Sequence, residues 1–310
     1  TDPKIIILCN NPIAIPGIRE FLFYGKVGAF VVTKRNKEMQ YLLAQLVGDA
    51  PVPVIIVNKK NYVEEIITAI NAHKINTGFI MTFPYILPKE VWSLPQKGFI
   101  NFHYGLLPQC RGPQPILWHL LNNDKEAGVT VHKVDEGIDT GEIIIQEKTD
   151  ISNNDTYGML QTKLAYLAAK VAATLLKILS YGTFIPSGKQ DESKAAYYEM
   201  PGAAELTINW NEMTAEQIVR LVNACNPWNK GAGTIINDWV IGVAEAEITE
   251  LAQMELNTPG TIIECSVEKG LLVATNDNKV ISLNIIYTSE GFFSGRKMLN
   301  FGLKAGMRFG

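Results

Sequence analysis

An amide, an imidazole and a carboxylate occur in this sequence at a spacing that could form one reactive site. Asn101 and His103 are two residues apart, and Asp139 follows Asn101 by 38 residues in the loop DEGIDTG. The amide and the imidazole can donate hydrogen bonds to an oxygen that becomes negatively charged, and one such donor is worth roughly 3 kcal/mol. The carboxylate can orient the imidazole and, directly or through water, accept a proton from an attacking amine. These residue types favour acyl transfer, in which an amine attacks a carbonyl carbon.

The polar pair lies where a strand is expected to end. The apolar run Phe99 to Phe102 predicts a short buried strand, and the chain leaves it at His103 into a loop broken by glycines and prolines. In open α/β sheets, ligands bind at the carboxyl ends of the strands. We therefore expect Asn101 and His103 to lie at a ligand-binding edge, to which the fold brings Asp139.

Strands and helices alternate along the first hundred residues. Runs rich in Ile and Val predict strands buried on both faces over Lys4–Asn10, Gly28–Thr33, Val52–Val57, Thr77–Phe83 and Gly98–His103. Helix-length segments lie between them, over Ile13–Tyr24, Asn36–Val47 and Tyr62–His73. This alternation predicts a doubly wound, Rossmann-like, mostly parallel sheet.

The rest of the chain changes from this alternation to short strands. A helix, two strands and a long helix complete a first domain of residues 1–184; they are predicted over Pro113–Asn122, Thr130–Val134, Glu142–Glu147 and Asp155–Tyr181. Gly, Pro, Ser and charge without periodicity predict a linker over 185–205. A helix and four strands then predict a small OB-type β-barrel domain over 206–310; they cover Thr214–Cys225, Trp239–Ile248, Gly260–Cys265, Gly270–Thr275 and Val280–Tyr287.

Composition excludes several classes of protein. The 310 residues carry a net charge of −3, which gives no electrostatic reason to expect a polyanionic partner. The four cysteines form no CxxC pair, so neither a disulfide framework nor a zinc site is expected. The first turn lacks GxGxxG, so a nicotinamide dinucleotide is not expected as ligand. No GxxxxGK[ST] occurs, so a nucleotide bound by a P-loop is not expected either. No apolar run is long enough to cross a bilayer and no leader precedes the first strand, so we expect a cytoplasmic protein.

Two stretches around the polar trio resemble a known family. The segment NFHYGLLPQCRGP, followed by GVTVHKVDEGIDTG, resembles the formyltransferases that use 10-formyltetrahydrofolate. The order and the spacing of the two segments match that family without a gap. The resemblance extends to ILPKEVWSLP, NPW, PGTI and GLLVAT, and so covers nearly the whole chain. Within that family, the sequence is most similar to members that act on methionyl-tRNA.

The resemblance implies roles for matching positions of this chain. Asn101 and His103 would polarise the formyl carbonyl and stabilise the tetrahedral intermediate, and Asp139 would support proton transfer. The folate donor would lie against two loops and be held largely by backbone groups of Phe83, Pro84, Tyr85, Ile86, Leu87, Glu136, Gly137 and Ile138. The loop bordering the formyl acceptor would contribute Tyr104, Gly105, Arg111 and Gly112, with Pro115 beyond them. No metal is expected.

Three departures from the family pattern bear on the formyl acceptor. Gly105 stands where the family usually has Ser, and the basic insertion expected after the second strand is reduced to Lys34, Arg35 and Lys37. Residues 205–310 contain 8 Lys and Arg against 12 Asp and Glu, whereas phosphate binding favours the reverse balance. The formyl acceptor is therefore left open between initiator methionyl-tRNA, a small amine such as an amino-sugar nucleotide, and water. A non-enzymatic alternative is an RNA-binding OB protein with an inactive catalytic domain. The oligomeric state is also left open.

Other polar residues receive plainer interpretations. His73, His119 and His132 lack polar company in the sequence and are interpreted as packing or surface residues. Arg111 is expected to pair with a carboxylate or to recognise phosphate or sugar. Cys110 lies in the same loop, but nothing near it in sequence would activate its thiol.

Overall fold

The computed structural model describes residues 2–181, 185–251 and 257–310. The chain folds into two compact units. The first comprises the described residues of Thr1–Pro115, Glu126–Asp150 and Gln161–Tyr198, and the second those of Ile116–Lys125, Ile151–Leu160 and Glu199–Gly310. The end predicted for the first domain, residue 184, lies outside the described residues. The division into residues 1–184, a linker and residues 206–310 stays a prediction.

The first unit contains a seven-stranded sheet. Its strands are β1 (Ile5–Cys9), β2 (Val27–Thr33), β3 (Val54–Val57), β4 (Thr77–Met81), β5 (Phe99–His103), β6 (Glu126–Lys133) and β7 (Ile143–Asp150), in the order β3-β2-β1-β4-β5-β6-β7. The first five strands pair in parallel, and β6 and β7 extend the sheet antiparallel. This arrangement confirms the predicted mostly parallel, Rossmann-like sheet.

Within the described residues, six α-helices occur in chain order between or after these strands. They are α1 (Ile15–Phe23), α2 (Lys37–Val47), α3 (Tyr62–Ala72), α4 (Lys89–Trp92), α5 (Pro115–Leu121) and α6 (Tyr157–Ser180). The predicted start at Ile13 is a separate 3-10 turn, Pro12–Ala14, because the Asn11 side chain accepts the Ile13 N–H there. Asn36 caps α2 in the same way, accepting the Met39 N–H at 2.9 Å. The short helix α4 was not predicted.

The core of the first unit follows from the spacing of apolar residues. Ile66 and Ile70 of α3 are buried one helical turn apart, and they belong to the same cluster as Leu8, Val31 and Phe99 of the sheet. Both β1 and β2 are buried along their full length, as expected of strands covered on both faces.

The second unit contains helix α7 (Ala215–Cys225) and a six-stranded antiparallel sheet. The strands are β8 (Ala232–Ile236), β9 (Trp239–Ile248), β10 (Ile262–Ser266), β11 (Gly270–Ala274), β12 (Val280–Thr288) and β13 (Gly291–Ser294). They follow the order β10-β11-β12-β9-β8, and β13 pairs with β12. The sequence did not predict β8 or β13. Closure of this sheet into an OB-type barrel stays a prediction. Among the described residues, no helix combines the length and apolarity needed to span a bilayer.

Candidate active site

The pairing of β5 with β6 places two polar side chains opposite each other. Asn101 pairs with His132, and His103 pairs with Thr130, in the antiparallel register. Residues two apart on a strand point to the same face, so Asn101 and His103 share a face of the sheet. The Asn101 amide nitrogen lies 3.0 Å from His132 Nε2. The end of β5 is therefore a polar site built by two strands.

The loop after β6 brings Asp139 to this site. Its Oδ1 lies 3.3 Å from Asn101 Nδ2 and 3.4 Å from His132 Nε2. Its Oδ2 lies 3.6 Å from His103 Nδ1 and accepts the Gly112 N–H at 3.0 Å. The structure thus brings together the three residues selected from the sequence, around a carboxylate that is only 12% exposed.

The surroundings of Asp139 keep its carboxyl ionised. Burial raises the pKa of Asp139, but the charges of His103 and His132, a hydrogen bond from His132 and the Gly112 N–H outweigh burial. The pKa of this carboxyl therefore lies well below its usual value. A carboxylate in this state is a weak proton acceptor, so its local chemistry favours orienting the imidazoles over taking a proton directly.

His103 is buried between two oxygen atoms. Its Nε2 lies 2.6 Å from the carbonyl oxygen of Cys110, and its Nδ1 faces Asp139. A doubly protonated imidazole would direct both of its N–H groups at these oxygens. The ring can therefore hold a positive charge at the site, stabilised from both sides.

His132 is buried, as its interpretation as a packing residue expected, but it also contacts Asn101 and Asp139, which the sequence did not predict. Its Nδ1 lies 2.8 Å from the carbonyl oxygen of Lys133, which places a hydrogen on that nitrogen. Its Nε2 can accept from Asn101 when the ring is neutral, or donate to Asp139 when it is charged. The available sequence signal was alternation, because Thr130 and His132 alternate with the apolar Val129 and Val131 in β6.

Two residues predicted to border the formyl acceptor, Tyr104 and Gly105, are tightly packed, and their contact with a formyl acceptor stays a prediction. The Tyr104 side chain is 5% exposed, so any contact with a formyl acceptor at this position falls to its backbone. At Gly105, an added Cβ would lie 2.6 Å from Pro115 Cβ and 2.9 Å from His103 Nε2. The departure from the family's Ser thus lets the loop close against the His103 ring.

Arg111 and Gly112 connect this loop to a later segment. The Arg111 guanidinium, 9% exposed, makes a bidentate ion pair with Glu192 and also donates to Gln190. Of the two interpretations of Arg111, the structure supports pairing with a carboxylate. Gly112 adopts φ +113°, and an added Cβ would lie 2.0 Å from the carbonyl oxygen of Tyr198, so only glycine fits there.

The two loops predicted to bind the folate donor are joined by an ion pair. Lys89 Nζ, just after the first loop, lies 2.8 Å from Glu136 Oε1 in the second. The first loop packs aromatic rings, with Tyr85 against both Tyr62 and Phe83. Ile86 leaves 74% of its surface exposed between these rings and α4. The pair of loops therefore offers an apolar surface with accessible backbone, and its use by a folate stays a prediction.

Four cations line a cavity next to the first of these loops. The cavity, of about 410 Å³, lies where β2 and β3 end and is lined by Lys34, Arg35, Val57, Asn58, Lys59, Lys60 and Tyr85. All four basic side chains are exposed. Their charges make this part of the first unit attractive to anions.

Comparison with known proteins identifies the family of this chain. Residues 26–176 match the formyl transferase family, and residues 202–297 match the formyl transferase C-terminal domain. The methionyl-tRNA formyltransferase of Caldicellulosiruptor saccharolyticus is 39% identical over 227 residues, which cover 73% of this chain and 70% of that protein.

Two solved structures share the fold. HypX from Aquifex aeolicus in complex with tetrahydrofolic acid aligns with a TM-score of 0.71 and 14% identity, over 96% of this chain and 47% of that one. The N-formyltransferase from Helicobacter canadensis, in complex with folinic acid and dTDP-3-aminofucose, aligns with a TM-score of 0.67 and 21% identity. The alignment covers 90% of this chain and 98% of that one. The resemblance noted in the sequence is thereby confirmed. The chain belongs to the formyl transferase family and is a formyltransferase.

Proposed function

We propose that this protein transfers the formyl group of 10-formyltetrahydrofolate to a primary amine, with Asn101, His103 and Asp139 as its catalytic residues. The observation that carries the proposal is the placement of Asn101 Nδ2 and His103 Nδ1 at 3.3 and 3.6 Å from one carboxylate. Membership of the formyl transferase family supports the reaction type. A folate in the HypX and Helicobacter canadensis structures supports the donor.

Asn101 stabilises the oxyanion through one of its two amide hydrogens. With His132 neutral, its Nε2 accepts the first hydrogen at 3.0 Å, and the second points to Asp139 at the longer distance of 3.3 Å. The longer contact is the one exchanged for the formyl oxygen when the donor binds. Because the oxygen carries more charge in the tetrahedral intermediate than in the carbonyl, this hydrogen bond strengthens as the reaction proceeds.

His103 adds positive charge beside the same oxygen, and Asp139 holds that charge in place. The amine nitrogen bonds to the formyl carbon, and the bond from that carbon to the folate nitrogen breaks. The proton lost by the amine is balanced by the proton gained by the leaving folate nitrogen. Since Asp139 is a weak base at its lowered pKa, water carries the proton between the two nitrogens.

The donor's pterin lies against the loops of Phe83–Leu87 and Glu136–Ile138. The exposed Ile86 and Ile138 supply apolar contact, and backbone groups supply hydrogen bonds. The donor contributes the activated formyl group. The ion pair between Lys89 and Glu136 connects the two loops at the surface.

Methionyl-tRNA is the formyl acceptor that the curated relatives favour. The methionyl-tRNA formyltransferase of Caldicellulosiruptor saccharolyticus aligns with most of this chain. The four cations around the cavity at β2 and β3 supply charge for phosphate groups.

An amino-sugar nucleotide is the second candidate. The acidic balance of residues 205–310 disfavours a long nucleic acid there. The Helicobacter canadensis enzyme, which aligns over nearly its full length, holds dTDP-3-aminofucose. Such a nucleotide needs only a few cations for its two phosphates.

The deciding experiment measures tetrahydrofolate release from 10-formyltetrahydrofolate in parallel reactions. One contains no formyl acceptor, one contains initiator methionyl-tRNA, and the others contain dTDP- or UDP-linked amino sugars. Release that depends on the tRNA supports the first candidate, and release that depends on an amino sugar supports the second. Equal release in all reactions identifies hydrolysis. No release, with retained RNA binding, identifies a non-enzymatic protein. Binding of the tRNA must also weaken steeply with salt, whereas a small amine gives a shallow dependence.

A further inference from the structure

The part of the predicted linker that belongs to the first unit is hydrogen bonded to that unit at both of its ends. We call residues 188–198 the strap. At one end, Gly188 exchanges backbone hydrogen bonds of 2.8 and 2.9 Å with Ile143 at the start of β7. At the other end, Ala196 and Tyr198 bond to the loop of Pro108 and Arg111. The strap therefore ties the strand after the Asp139 loop to the loop after His103.

Gln190, in the middle of the strap, uses its whole carboxamide. Its Nε2 donates to the carbonyl oxygens of Asp139 and Gly141, both at 2.8 Å. Its Oε1 accepts from Arg111 Nε at 3.2 Å and from Nη2 at 2.8 Å. One side chain thus holds the backbone of the Asp139 loop and the guanidinium of the neighbouring loop together.

The other side of Arg111 is held by Glu192. The two carboxylate oxygens accept from Nη1 at 3.0 Å and from Nη2 at 2.6 Å, which is the bidentate geometry that fixes a guanidinium plane. The next residue, Gly112, donates its N–H to the Asp139 carboxylate at 3.0 Å. Asp139 is therefore held twice, by Gln190 at its backbone and by Gly112 at its side chain.

Asp139 needs this support because of its backbone conformation. Its φ is +56°, in the left-handed region that favours glycine. Such a conformation persists where the surroundings over-determine it. With the loop released, Asp139 would leave the position that faces Asn101 and His103.

We propose that Gln190 is a positioning residue that fixes the Asp139 carboxylate for formyl transfer, through the Arg111 and Glu192 network of the strap. The expected effect of Gln190 on kcat rests on the proposed function. Its effect on the position of Asp139 does not depend on which amine accepts the formyl group.

The kinetic test compares a substitution by methionine at two neighbouring positions of the strap. Gln190→Met keeps the side-chain length and removes all four hydrogen bonds, and we expect kcat to fall about 100-fold, as for a displacement near 1 Å. The KM for 10-formyltetrahydrofolate is expected to change far less than kcat, since Gln190 bonds to Asp139 and Gly141 and to none of the predicted folate-binding residues. Lys189→Met is the matched control, because Lys189 is exposed, and it is expected to retain wild-type kcat. Equal kcat in the two variants overturns the proposal.

A second readout does not depend on turnover. The carboxyl of Asp139 is titrated by ¹³C NMR, with the signal assigned by its loss in Asp139→Asn. In Gln190→Met the pKa of Asp139 is expected to rise toward its ordinary value, because the carboxylate leaves the Gly112 N–H and the two imidazoles. An unchanged titration overturns the proposal even if kcat falls. A raised pKa in a protein that transfers no formyl group upholds the placement of Asp139 and refutes the proposed function instead.

Glu192→Gln keeps the proposal testable if Gln190→Met does not fold. The Glu192 side chain is 67% exposed, so this substitution leaves the core untouched and weakens only the pairing with Arg111. We expect a fall in kcat of severalfold and a smaller rise in the pKa of Asp139. Wild-type values for both quantities would overturn the proposed network.

Discussion

Asn101 of β5 and His132 of β6 lie directly opposite each other across an antiparallel pair, with the Asn101 amide nitrogen 3.0 Å from His132 Nε2. This contact fixes which way the carboxamide faces. When the His132 ring is neutral, its Nε2 accepts from this nitrogen, and the second amide hydrogen is directed at the Asp139 carboxylate. The imidazole of His132 therefore determines where the amide can donate.

Removal of that ring is expected to slow the reaction without removing a catalytic residue. His132→Phe keeps the bulk of the ring and deletes its nitrogen atoms, so Asn101 loses the hydrogen-bond acceptor that orients it. We expect kcat to fall about 10-fold or more, measured as tetrahydrofolate release under saturating donor. His132→Gln, which retains an accepting oxygen, should recover part of the rate. Equal rates for the two variants would show that orientation of Asn101 does not depend on this contact.

Removal of the imidazole at His103 is expected to abolish formyl transfer. In His103→Ala the imidazole proposed to stabilise the formyl oxygen is lost, and kcat should fall by a factor of about 100 or more. Binding of folinic acid, followed by calorimetry, should stay close to wild type because the two donor loops lack this residue. His73→Ala serves as control, since His73 lies at the end of α3. Retained turnover in His103→Ala would remove this residue from the mechanism.

The lowered pKa of Asp139 predicts how stability depends on pH. The folded state holds this carboxyl ionised more strongly than the unfolded chain does, where its pKa is about 3.9. The ionised group therefore contributes stability above pH ~4, and that contribution is lost as the pH falls toward the folded-state value. We expect the difference in unfolding free energy between wild type and Asp139→Asn to be largest near neutral pH and to shrink below pH ~4. Urea denaturation between pH 3 and 7 measures it, and a constant difference would contradict the lowered pKa.

The close contacts of Gly105 predict that the family's usual residue no longer fits this chain. In Gly105→Ser the new Cβ meets Pro115 and the His103 ring at less than 3 Å, so the loop must shift. We expect the free energy of unfolding to fall by about 1–3 kcal/mol, with a loss of kcat from the displaced His103. Gly202→Ser is the control, because the new Cβ would meet only the end of the Glu205 side chain at 3.1 Å. If both variants denature at the same urea concentration as wild type, the loop adapts without strain.

Local pattern was sufficient to predict most elements of the first unit. Strands β1, β2, β4 and β5 are buried apolar runs, so sequence alone identified them to within a few residues. Helix α3 was predicted because its apolar residues recur at helical spacing on the side that packs into the core. Strands β8 and β13 were missed because short stretches containing glycine carry too little periodicity.

The sequence by itself determined the chemistry of this protein: an amide and an imidazole at a strand end, a carboxylate in a following loop, and the loop sequences of the formyl transferase family. Only the tertiary structure decided which residues hold that chemistry in place. His132 reaches Asn101 through the register of β5 with β6, and Gln190 reaches Asp139 from 51 residues further along the chain. Alternation in β6 marks His132 as a polar position but does not identify its partner, because a hydrogen bond depends on distances that only the folded backbone sets.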